Sequence, residues 1–314
     1  MTHIREGSLP GDHGSIHYWI VGDPLPGSSR ERWPPDTVPL LVIHGGPGLP
    51  HNYLRDLDRL ADRLADRLAD PPGVRHPVVY YDQIGCGLSD RPDDQSIWAL
   101  GTFVDEIDTV REALGLDRVS ILGHSAGGWI ALEYALRQPT GLASLILANT
   151  CASIPLLTTE IARLKNALPG AAGAVIDAHE AAGTTGAPEY IAAFRRFNVA
   201  HVYGTEVMPD RFSQAVRNIN SDVHAAMVGT GWSFSGTLAG WDVTDRLGEL
   251  ELPTLVLSGR HDQMTPDAVR PMAEGIPGAT ATILEDSAHL PMLTETAAFL
   301  AVVSEFLDRV DGVR

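Results

Sequence analysis

The segment that most constrains this chain is the apolar run Val119-Ser120-Ile121-Leu122, then Gly123-His124-Ser125-Ala126-Gly127, then the helix-like stretch Gly128 to Leu136. A strand that turns directly into a helix, with a serine at the apex, leaves no room for side chains two residues before and after it. Glycine at both places has that steric reason. The same turn lifts a serine hydroxyl clear of a sheet and aims the first N–H groups of the helix toward it. Ser125 is therefore the candidate nucleophile. A Gly-rich strand–helix connector is the bland alternative.

Around this turn, short apolar or β-branched runs alternate with longer helical patterns. That alternation predicts an α/β fold with a mostly parallel sheet covered on both faces. Ile16 to Val21 reads as an early strand hairpinned with Gly7 to Pro10. Leu40 to Ile43, Val78 to Tyr81, Val119 to Leu122, Leu145 to Leu147, Thr254 to Leu257 and Thr280 to Leu284 continue the series. Loops at the C-terminal ends of such strands are where an open α/β sheet collects its ligand. Between Cys151 and Trp241 the strand pattern stops. Helical stretches replace it at Thr158 to Leu168, Glu189 to His201 and Arg211 to Met227, broken at Pro169-Gly170, Gly183 to Gly186 and Met208-Pro209. The expected organisation is a core of residues 1–150 and 242–314, with residues 151–241 as an inserted helical cap over the site. Within the cap, Phe197, Tyr203, Phe212, Met227, Trp232 and Phe234 are candidates to line a substrate pocket, or else form the cap's own core.

The net charge of −17 offers no basic stripe for phosphates and disfavours both nucleic acid and an anionic membrane surface. Two cysteines, Cys86 and Cys151, imply no disulfide framework. No apolar leader begins the chain, and no run approaches the roughly 18 apolar residues of a membrane span. The expectation is a cytoplasmic protein, monomeric or a small homo-oligomer, acting on a small molecule or short peptide. A tandem Asp58-Arg59-Leu60-Ala61, repeated twice more and ending at Asp70, drifts by ~40° per unit round a helix. It reads as an expanded surface helix rather than a site.

A serine nucleophile needs a base, and the base an orienting acid. Asp262 follows the strand Thr254 to Leu257 and His289 follows Thr280 to Leu284, so both leave the sheet at the same edge as Ser125. Asp267 is better read as a first-turn helix residue, and Asp286 lies too close to the histidine's own strand. His124 and His261 read as packing or supporting residues. His44-Gly45-Gly46-Pro47-Gly48 follows the strand Leu40 to Ile43, so the N–H of Gly46 can join that of Ala126 to bind a developing oxyanion. No zinc, dinucleotide or P-loop spacing is present, and neither cofactor nor metal is expected.

The His44 to Gly48 block, Asp82-Gln83-Ile84-Gly85-Cys86-Gly87-Leu88-Ser89 and the order Ser125, Asp262, His289 resemble the proline iminopeptidase family of α/β-hydrolases. The similarity runs through nearly the whole chain, including the return segment Gly236 to Thr244, and is strongest to tricorn-interacting aminopeptidases and amino-acid amidases. It implies a serine hydrolase cleaving an amide beside a small N-terminal residue through an acyl-enzyme. The family's aminopeptidases hold the substrate ammonium with two glutamates. This chain has Gln263 at the first place and no acid in Val228 to Phe234, around Gly231 and Trp232, at the second. Gln263, Trp232, Phe234 and Met227 are the candidate substrate contacts. Glu180, Glu189 and Glu206 are the cap carboxylates able to replace the missing charge. If none does, an esterase or lactonase acting on an uncharged substrate is the alternative. Ala126, where the family commonly has a large aromatic, is expected to widen the pocket beside the serine. A serine at the elbow disfavours epoxide hydrolase and dehalogenase chemistry, which needs aspartate there.

Overall fold

The computed structural model describes residues 4–22, 33, 37–61 and 76–312. Its strands are β1 (Ile4–Gly11), β2 (Gly14–Val21), β3 (Leu40–Ile43), β4 (Val78–Tyr81), β5 (Val119–His124), β6 (Leu142–Ala148), β7 (Thr254–Gly259) and β8 (Thr280–Leu284). They form one sheet in the order β1-β2-β4-β3-β5-β6-β7-β8. β2 pairs antiparallel with both neighbours, and the pairs from β4 to β8 are parallel.

The unbroken apolar character of the central strands follows from burial on both faces. Leu41, Ile43, Val79, Tyr81, Ile121, Leu145 and Leu147 join one core with α1 (Leu100–Ala113) and α2 (Ala126–Leu136). Their neighbours Leu40, Val42, Val78, Tyr80, Leu122, Ile146 and Ala148 face the opposite core. There they meet the 3₁₀ helix His51–Leu60 and the C-terminal helix Thr296–Val310. α2 is buried on nearly every side, with Glu133 its one residue that is not, and that carboxylate accepts the indole N–H of Trp241 at 2.7 Å.

Between β6 and β7 the chain forms α3 (Ile154–Ala167), α4 (Ala172–Ala182), α5 (Pro188–Asn198), a π-helical turn Val199–Tyr203, α6 (Asp210–Arg217) and α7 (Ser221–Met227). Beyond β7 come α8 (Pro266–Gly275), α9 (Pro291–Thr294) and α10 (Thr296–Val310). The two ends of the helical insertion are stitched together. Ser153 bridges Asp242, the Ile154 N–H donates to the Trp241 carbonyl at 2.8 Å, and the Val243 N–H donates to that of Ala152 at 2.9 Å. Two sequence expectations change. Arg211 to Met227 is two helices, because Asn220 leaves the helical conformation to cap α7 through its side chain. Asp58 to Ala61 closes the 3₁₀ helix, while the remaining repeats up to Asp70 lie outside the described residues.

One buried carboxyl group bears on stability. Glu106 of α1 accepts the Ile84 N–H at 3.0 Å, and burial pushes its carboxyl up to about 8. The fold therefore keeps the neutral acid. Its contribution is fully present below the ordinary value of 4.5 and is lost as pH rises through about 8. Glu106→Gln is expected to raise Tm by several degrees at about pH 9 and hardly at all below about pH 5, measured by thermal unfolding across that range.

Candidate active site

Ser125 stands between β5 and α2 with φ 56° and ψ −124°, a conformation costly for any residue with a side chain. A Cβ on Gly123 would run into the Gly127 carbonyl, and one on Gly127 into the Ile43 carbonyl, so the turn closes only with glycine at both places. The Ser125 N–H continues the sheet by donating to the Ala148 carbonyl at 3.0 Å, and its own carbonyl starts the helix by accepting from Gly128 at 2.8 Å.

The loops after β7 and β8 bring the other two groups to the serine. His289 Nε2 lies 2.9 Å from the Ser125 hydroxyl, and its Nδ1 lies 2.7 Å from Asp262 Oδ1. A carboxylate accepts only, so Nδ1 carries the proton and Nε2 is left to accept from the serine. Asp262 is almost wholly buried, and two further donors satisfy it: the Met264 N–H at 2.8 Å and the Asn149 side-chain amide at 2.7 Å. Asn149 was not predicted from sequence. Its signal is a polar residue directly after β6, in the left-handed region that asparagine tolerates (φ 52°).

The loop after β3 is fixed from behind. His44 Nε2 accepts the Gln83 N–H at 3.0 Å, so its Nδ1–H is the donor to the Gly45 carbonyl at 3.0 Å. Burial lowers this imidazole to about 4 and keeps it neutral. Asp82 carries the neighbouring loop: Oδ1 accepts from the His51 side chain at 2.8 Å and its N–H at 3.0 Å, while Oδ2 accepts from Leu88 at 2.8 Å. Burial pushes that carboxyl up, but the His51 contacts outweigh it and hold it at about 2. The Asp82 to Ser89 motif is thus a loop fastener beside the site. Gly46, with φ 133°, faces the cavity over Ser125, and the Ala126 N–H opens α2. The first N–H groups of a helix have no partner within it, which leaves that of Ala126 suited to an anion.

Ser125 and His289 open on a cavity of about 360 Å³. Trp232 and Gln263 line it, as do Tyr203 and Phe212 from the aromatic candidates. Met227 and Phe234 do not. Both are buried in the core cluster that contains Trp129, and the Phe234 ring meets the Trp129 ring edge-on. Phe197 is likewise fully buried, and Ala126 is absent from the cavity wall. The wall also includes Tyr190, Phe194, Val202, Val216, Ile219 and His224, and, nearer the serine, Leu49, Tyr53 and His124. Among the described residues the wall contains no Asp, Glu, Lys or Arg. Glu180 lies behind Gly231, held by Lys165 Nζ at 3.1 Å and the Tyr190 hydroxyl at 3.4 Å, while Glu189 and Glu206 are exposed to solvent. The π-helical turn joins this wall to the catalytic loops. Val202 accepts the His289 N–H at 3.1 Å, His201 accepts the Gln263 N–H at 3.0 Å, and the His201 ring donates to the His261 carbonyl at 3.0 Å.

A strained serine, then an aspartate and then a histidine, delivered in this chain order by the loops of such a sheet, define a Ser-His-Asp hydrolase with the α/β-hydrolase fold. The family model for that fold matches residues 38–296. The chain is 37% identical to a proline iminopeptidase of Lactobacillus delbrueckii subsp. lactis, over 97% of this chain and 98% of that one. It is 32% identical to one from Saccharolobus solfataricus, over 86% and 85%. The crystal structure of a proline iminopeptidase from Mycobacterium smegmatis superposes with a TM-score of 0.85 at 33% identity, covering 98% of this chain and 99% of that one. The chain belongs to the proline iminopeptidase family. Among the described residues no helix is long and apolar enough to cross a membrane.

Asn149 is expected to matter through Asp262. Asn149→Ala removes a charge-assisted hydrogen bond and should lower kcat by about tenfold to a hundredfold, with KM little changed, in steady-state assays against a chromogenic ester or anilide.

Proposed function

We propose that the protein hydrolyses an amide bond beside a small N-terminal or small-molecule acyl group, through an acyl-enzyme on Ser125. His289 takes the serine proton and returns it to the leaving amine, and Asp262 holds the imidazole and stabilises its cationic form. The N–H groups of Gly46 and Ala126 bind the oxyanion. Water activated by His289 then releases the acid. The observation that carries this reading is the unbroken Ser125–His289–Asp262 contact, 2.9 and 2.7 Å, opening on a largely apolar cavity. Likeness to proline iminopeptidases over the full chain supports the amide. In the same reading residues 151–241 act as a cap that excludes water, and the enzyme works in the cytoplasm, where the free thiols of Cys86 and Cys151 stay reduced.

A second reading is favoured by one specific observation. A substrate ammonium buried in a wall without carboxylates keeps its desolvation cost uncompensated, and the neutral Gln263 amide offsets little of it. Hydrolysis of an ester or lactone with an uncharged acyl part fits that wall directly.

Prolyl and alanyl anilides with free amines, their N-acetyl versions and short-chain aryl esters separate the two. A preference for free-amine anilides of about a hundredfold in kcat/KM, about 2.7 kcal/mol, supports the aminopeptidase reading. Indifference to N-acetylation with esters dominant supports the second. Ser125→Ala should lower every rate by several orders of magnitude while leaving the fold intact; a near-normal rate in that variant overturns both.

A further inference from the structure

Beside the triad, where Tyr53 and His124 border the same cavity, these two residues without a role in the reaction above complete a chain of hydrogen bonds. The Gly45 N–H donates to the Tyr53 oxygen at 2.8 Å, Tyr53 meets His124 Nδ1 at 2.8 Å, and His124 Nε2 meets the His289 carbonyl at 3.0 Å. Both ends dictate the direction. A backbone N–H can only donate and a carbonyl can only accept. His124 must therefore carry its proton on Nε2 and leave Nδ1 bare, and the Tyr53 hydroxyl must donate to it. For a neutral imidazole no other placement of protons satisfies the three contacts.

Both side chains are fully enclosed, with exposures of 0% for Tyr53 and 1% for His124. Burial pushes the Tyr53 phenol up, and burial together with the His289 ring pushes the His124 imidazole well down, so both stay neutral while the enzyme works. The chain keeps one polarity and spans from the oxyanion loop to the base. Gly45 immediately precedes Gly46. The carbonyl at the other end belongs to His289, whose N–H is held by Val202 at 3.1 Å, so the peptide groups on both sides of the base are tied.

We infer that Tyr53 and His124 are positioning residues that couple the oxyanion-binding loop to the catalytic histidine, holding the Gly46 N–H and the His289 ring at a fixed mutual distance. The inference rests on the roles proposed above for Gly46 and His289. Charge develops on the substrate oxygen at the same moment as His289 accepts the serine proton. Loosening the link therefore affects the transition state more than substrate binding.

The test uses the full chain with active sites titrated. Tyr53→Phe removes one hydroxyl, keeps the ring, and leaves both Gly45 and His124 Nδ1 without their partner. It is expected to lower kcat by about tenfold to a hundredfold with KM within about threefold. His124→Gln can still reach the His289 carbonyl but offers Tyr53 no ring nitrogen, and should lose a similar factor. The double variant should lose no more than the worse single one, because both break the same link. Phosphonylation of Ser125 by a fluorophosphonate, which needs the oxyanion site but no particular substrate, should slow in parallel. Wild-type kcat and labelling rates in Tyr53→Phe, losses that multiply in the double variant, or a loss confined to KM would each overturn the coupling. Should Tyr53→Phe not fold, His124→Gln alone carries the same comparison. A wild type that labels at Ser125 yet cleaves no amide or ester would sink the substrate reading, while the labelling rates still decide the coupling.

Discussion

The backbone of Ser125, held in a left-handed conformation where three segments of main chain nearly touch, is the constraint on which the rest of the molecule depends. Such a residue costs about 1–3 kcal/mol and persists only where its surroundings over-determine it. Here the surroundings are specific. β5 lies between β3 and β6, with Gly123 opposite Ile43 and His124 opposite Ala148, so the strand cannot slide to relieve the turn. α2 cannot rotate, because Trp129, Ile130, Leu132 and Tyr134 are buried around its circumference. The strain raises the hydroxyl above the sheet edge at the level where the loops after β7 and β8 arrive.

Those loops must then be held as firmly as the serine, and polar contacts among main-chain groups do much of that work. Asp262 accepts from His289, Met264 and Asn149, which leaves its carboxylate little freedom to swing. His289 is held through its N–H, its carbonyl and its ring. Buried polar groups of this kind are costly if unmet and stiffening if met. At the Asp262 carboxylate and the His289 ring the site has taken the second course.

The fold was legible in the sequence because its signals are local. Apolar runs of strand length with Gly-rich turns at their ends marked β3, β4, β5, β7 and β8 to within a residue or two. The elbow, the His44 to Gly48 loop and the loops bearing Asp262 and His289 declared themselves by position after a strand. Trp232 and Gln263 were found by their place in the chain, and the structure puts both in the cavity wall. What escaped depends on long-range packing. Asn149 meets Asp262 across more than a hundred residues, and Tyr53 and His124 become partners only when the 3₁₀ helix docks against β5. Met227 and Phe234 looked like pocket residues because they are large and apolar within the helical insertion. Nothing in their spacing distinguishes a wall from a core, and they join the core cluster instead, Phe234 against Trp129.

The helical insertion is more than a roof laid on a finished site. Val202 contributes its side chain to the cavity wall and its carbonyl to the His289 N–H, and His201 holds the loops of Gln263 and His261 from the same turn. The i to i+5 winding of Val199–Tyr203 widens the helix and brings successive carbonyls within reach of two different loops, which a regular α-helix would keep in its own ladder. A change of wall shape in this turn is therefore transmitted to the base, and repositioning of the base shifts the wall. Substrate fit and proton transfer share one stretch of backbone. In a cavity whose described wall holds no Asp, Glu, Lys or Arg, shape is the main determinant left to align a reacting carbonyl with Ser125.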